Sequence, residues 1–102
     1  MQKELYARQG DVLIYKLTAL PEGITPTDDV VIALGEHTGH RHRYEIAEGM
    51  ETTQHVFDLL LEGNVKAKVI EVTKSVRVVH EQHGAVVLEP GIYESHIGEN
   101  EF

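Results

Sequence analysis

Histidine is the residue type in this chain best placed to do chemistry, and it is clustered. His40 and His42 stand two apart in the run from His37 to Glu45, and a second pair, His80 and His83, flanks Glu81. An imidazole with an unperturbed pKa near ~6.5 is either a metal ligand or a proton carrier at neutral pH. Two pairs in one short chain predict a single site assembled by folding. The first expectation is a divalent metal, Zn, Fe, Ni or Mn, held by His40, His42, His80 and His83, with a small ligand reaching an open position. The second needs no metal. In it His42 and His83 serve as acid and base, Glu81 as base or ring-orienting carboxylate, and Arg43 or Arg41 grips the phosphate of RNA or a cyclic oligonucleotide, making a phosphodiesterase. A third reading is a binding or inhibitor module that captures its ligand without turnover.

These side chains need a scaffold. If residues 41–47 form a strand, side chains two apart share a face, so His40, His42 and Tyr44 point one way and Arg41, Arg43 and Glu45 the other. Glu45 is then expected in a surface pair with Arg43 or Lys66, and the arginines reach the imidazoles only through a bulge or a dimer partner. His37 falls in the loop 35–39. His55 alternates with apolar neighbours, and His96 sits near Tyr93 and Asn100 at the C-terminus.

Short β-rich segments dominate the rest. Strands are predicted over residues 11–17, 30–34, 41–47, 52–61, 65–73, 75–80, 85–88 and 91–97, separated by Gly, Pro and Asn turn signals. The clearest hairpin signal is Glu62-Gly63-Asn64. Residues 50–61 also fit a helical period through Phe57, Leu60 and Leu61. About eight short strands predict an all-β single domain over residues 1–102, a small barrel or β-sandwich.

Composition narrows the partners. The 102 residues are 41% hydrophobic and 25% charged, as expected of a globular chain. A formal charge of −8 argues against sequence-independent binding of duplex nucleic acid, which needs a basic surface. There is no cysteine, so disulfides, thiolate metal sites and cysteine nucleophiles are excluded. The N-terminal residues lack an apolar stretch, so the expectation is a cytoplasmic protein away from membranes. A domain this small gains from a partner surface, which predicts a homodimer.

The spacing Gly35-x4-His40-x-His42-x2-Glu45-x3-Gly49 resembles the first cupin motif in its order of residue types, with shorter outer spacers. Gly84-x5-Pro90-Gly91-x4-His96-x3-Asn100 is similar to the second. That resemblance implies a small cupin-like barrel and His40, His42 and His96, with Glu45, as metal ligands. The chain also resembles a set of small uncharacterised bacterial and phage proteins. The runs that carry this likeness are Gln9-Gly10-Asp11-Val12, Leu20-Pro21-Glu22-Gly23, Gly35 to His42, His80-Glu81-x-His83-Gly84 and Leu88-x-Pro90-Gly91-x-Tyr93. It implies that the His40/His42 and His80/His83 pairs belong together, and it makes a nucleotide signal a plausible ligand.

Overall fold

The computed structural model describes residues 3–34, 41–46 and 55–98. It is all β: β1 (Lys3–Gln9), β2 (Val12–Leu17), β3 (Thr25–Pro26), β4 (Val31–Leu34), β5 (Arg41–Glu45), β6 (His55–Leu60), β7 (Lys66–Val72), β8 (Val76–Val79), β9 (Val86–Leu88) and β10 (Gly91–Ile97). They form two antiparallel sheets. The larger runs β1-β2-β10-β7-β6-β3 and the smaller β4-β5-β8-β9. Among the described residues the sheets do not close into a barrel, so the sandwich expectation holds and the barrel one does not.

One core lies between the sheets. The larger contributes Val12, Ile14, Val56, Ile70, Val72 and Tyr93, and the smaller Tyr44, Val76, Val78 and Leu88. Alternation explains this set: Val12 and Ile14, Ile70 and Val72, and Val76 and Val78 are each two apart and share a face. Burying each such aliphatic side chain stabilises the fold by about 1.5–3 kcal/mol.

Among the described residues ten strands appear where about eight were expected. β1 lies outside the expected strands: in Lys3–Gln9 only Gln9 is buried and Ala7 half-buried, and Leu5 and Tyr6 are exposed, as suits an edge strand that buries little. The two-residue β3 lies outside them too. His55–Leu60 is a strand paired with β7, so the helical period does not describe this stretch. Between them, Gly63 (φ 73°) and Asn64 (φ 63°) make the predicted reversal, with Leu61 N–H donating to Val65 O at 2.7 Å. Both φ values favour glycine or asparagine.

The turn from β1 to β2 is tight. Gln9 pairs with Val12, leaving only Gly10 and Asp11 between them. Gly10 has φ +59° at the first central position, the geometry of a two-residue hairpin that needs glycine there.

Candidate functional site

His42 and Tyr44 on β5 are buried, whereas Arg41 and Glu45 are exposed and Arg43 is half-buried. That is the expected split of the strand into two faces. The His42 side chain is only 2% exposed, yet it is a polar group and needs partners. Its Nδ1 lies 2.9 Å from Gln9 Oε1.

Gln9 decides which way that hydrogen bond runs. Its Nε2 donates to Val78 O and to Gly84 O, both at 2.9 Å, so the amide cannot be turned around. Oε1 is thus the acceptor toward His42, and His42 Nδ1 carries the hydrogen. The lone pair of the neutral ring then sits on Nε2. Burial, and secondly the neighbouring His80, push the His42 pKa down to about 4, with Asp11 opposing them. The ring is neutral at physiological pH.

Around that ring stand residues from two distant parts of the chain. Asp11, beside the β1–β2 turn, places Oδ1 3.6 Å away. The segment after β8 supplies His80 and His83. Ring centroids are 4.3 Å apart for His42 and His80, 4.7 Å for His80 and His83, and 6.0 Å for His42 and His83. Gly10 is part of the same fit, because a Cβ there would stand 2.6 Å from His83 Nε2.

His80 has the opposite tautomer. Its Nδ1 accepts from Gln82 N–H at 3.0 Å, which leaves the hydrogen of the neutral ring on Nε2. Glu81 turns back onto β5, where Oε1 accepts from Arg41 N–H at 2.8 Å and Oε2 lies 3.9 Å from Arg43. The Arg41 amide, its own amide, His80 and Arg43 hold its carboxyl below the usual range. His80, Glu81, His83 and Arg43 line a 280 Å³ cleft, together with Glu45 and Arg77. His42 is not in its lining, but its ring is 4.3 Å from that of His80, which is.

The structure thus brings His42, His80, His83, Glu81 and Arg43 to one place. Arg43 lines the cleft without a bulge in β5, because the segment after β8 continues beside the strand: Val79 pairs with Arg43, and Glu81 accepts from the Arg41 amide. Glu45 is in a surface pair as expected, but its partner is Arg77, at 2.8 Å, and neither Arg43 nor Lys66. His37, His40 and Asn100 lie outside the described residues. His55 is exposed on β6.

His96, the third ligand implied by the cupin resemblance, is elsewhere. Tyr93 faces the core, so by alternation His96 occupies the other face of the larger sheet. There it stacks on Tyr15 and places Nδ1 2.8 Å from Ile97 O. Gln9 and Asp11 are the site residues that sequence reasoning does not select. Their one signal is the Gln9-Gly10-Asp11-Val12 run in the second resemblance.

Among the described residues, no three His, Asp or Glu side chains are already gathered to hold a metal ion. No helix there is long and apolar enough to cross a membrane. A family model described as a domain of unknown function (DUF8820) matches residues 8–97, which include every residue of this cluster. No curated protein and no solved structure matches the chain.

Proposed function

The chain belongs to that family of unknown function, DUF8820, and we propose that its imidazole cluster binds a divalent transition-metal ion and offers it to a small ligand in the adjoining cleft. One observation carries the reading: the His42 Nε2 lone pair faces the Asp11 carboxylate across 3.6 Å, two acceptors that a shared cation would satisfy together. A proton is a poor substitute, since burial opposes it. Gln9 does what the outer partner of a metal-bound histidine does, fixing the tautomer through the second ring nitrogen.

His42, His80 and His83, with Asp11, would supply three imidazoles and one carboxylate, a set suited to Zn, Ni, Fe or Mn. Imidazoles sharing one ion through nitrogens at ~2.1 Å have centroids ~5 Å apart, close to the spacings here. Closing the set requires His80 to turn and release Gln82 N–H, because that bond keeps the hydrogen on Nε2. His40, two residues before His42, is the remaining candidate ligand. Such an ion would act as a Lewis acid on a ligand in the cleft, with Arg43 available to an anionic group.

Burial separates this reading from metal-independent catalysis. At 2% exposure the His42 side chain admits an ion between the rings but not a phosphodiester. What favours the second reading is His80, which lines the cleft beside Arg43, a phosphate partner. Elemental analysis and calorimetry of untagged protein test the proposal. About one Zn, Ni, Fe or Mn per chain is expected, lost in His42→Ala and His83→Ala. Absence of stoichiometric metal, with phosphodiester cleavage that survives chelator, would favour the second reading instead.

A further inference from the structure

A second cavity opens between the sheets, away from the imidazoles, with a volume of 590 Å³. That is within the ~300–1,000 Å³ usual for small-molecule pockets. Its walls are aliphatic, including Val31 and Ile32 of β4 and Leu60, which shares a face of β6 with Asp58. Its polar side is unusual. Lys68 shares the inner face of β7 with the core residues Ile70 and Val72, yet its side chain is only 8% exposed. Nζ is bonded to Asp58 and lies 3.5 Å from Asp29 Oδ2.

Stability gives little reason for a lysine there, because replacing a buried ion pair by apolar residues is often neutral or favourable. The two carboxylates are far more accessible than the ammonium, at 60% for Asp29 and 54% for Asp58. The Val31 amide, and then Lys68, hold the Asp29 carboxyl below its usual range, so it is ionised at neutral pH. Lys66 also lines the cavity and is exposed. The lining thus presents two carboxylates and two ammonium groups beside an aliphatic wall.

We infer that this cavity binds a small aliphatic zwitterion, a free amino acid of the leucine type. Its ammonium pairs with Asp58 and Asp29, its carboxylate with Lys66 and the remaining N–H of Lys68, and its side chain lies on Val31, Ile32 and Leu60. An anion alone meets the exposed carboxylates, and a cation alone leaves Lys66 unmatched and competes with Lys68 for Asp58 and Asp29. The inference is independent of the metal proposal, since none of these residues belongs to the imidazole cluster.

The test is an NMR titration of the intact protein with L-leucine, and separately with leucinamide and 4-methylpentanoate, which each lack one charge. Saturable shifts of the Val31 and Ile32 methyl groups by leucine are expected, with each analogue weaker by about ten-fold or more, the loss of one charged hydrogen bond. Lys68→Met should weaken leucine by a similar factor, as should Asp58→Asn, whose position is half exposed and tolerant. No saturable binding of leucine, analogues that bind as tightly, or a Lys68→Met protein that binds normally would each overturn the inference. The analogue comparison uses the unmodified chain and does not depend on any variant folding.

Discussion

His42 is the residue on which the site turns, and its environment makes a prediction about pH. The folded ring has its pKa depressed from 6.5 to about 4, so as pH falls the unfolded chain takes up the proton first. Metal-free stability is therefore complete above pH ~6.5 and declines from there to about pH 4, by roughly 3 kcal/mol. Urea denaturation across that range should show the slope, and His42→Ala should remove most of it. Gln9 is predicted to matter as much. Gln9→Leu strands the His42 Nδ1–H and two carbonyls in the interior, for a loss of about 2–4 kcal/mol. Metal affinity should fall about 10–100-fold in the same variant, by calorimetry. Gly10→Ala combines a left-handed φ with a Cβ 2.6 Å from His83 Nε2. It should cost about 1 kcal/mol or more and move the His83 ring, visible in its imidazole NMR signals.

The elements around the site are joined by few contacts, which makes them separable by experiment. The segment 80–84 follows β8 and is tied to β5 by the Glu81 bond to the Arg41 amide, and to β1 by the Gln9 bond to Gly84 O. Glu81→Ala should speed hydrogen exchange at the Arg41 amide while leaving the Tyr44 amide, bonded to Val30 O, unchanged. Equal acceleration at both would mean that β5 as a whole is loosened. The same elements show how local signals succeed and fail. The reversal at Gly63 and Asn64 is written in turn residues, and the strands Lys66–Val72 and Val76–Val79 in β-branched residues. β1 is not, since an exposed edge strand is held by backbone pairing that leaves no periodic apolar mark.

For the whole molecule, the core is expected to dominate stability. Ile70→Ala removes buried methyl groups at the centre of the sandwich and should cost about 2–5 kcal/mol. Tyr44→Phe loses only a long 3.4 Å hydrogen bond to Ser95 between the sheets and should cost about 1 kcal/mol or less in the same denaturation assay. Because β1 and β2 come from one sheet and β5 and β8 from the other, an ion at the cluster would clamp the sandwich. A metal at one hundred times its dissociation constant should then stabilise the fold by about 2.7 kcal/mol. That gain should vanish in His42→Ala.

Several features were legible from the chain alone. The split of β5 into an imidazole face and a charged face follows from period-two alternation, a local rule that needs no knowledge of neighbours. The all-β class, and the pairing of His42 with His80 and His83 as a hypothesis, rest on composition and residue type. The meeting of these residues could not be read there, because it depends on β5 pairing with β8 while β1 and β2 join the other sheet. Such pairings are long-range and carry little sequence mark. Gln9 and Asp11 entered the site in this way, from a turn that lies far along the chain from both histidine pairs. His96 left it for the same reason, since its strand turns that side chain to the outer face. The buried Lys68 and its cavity likewise exist only because two sheets face each other across it.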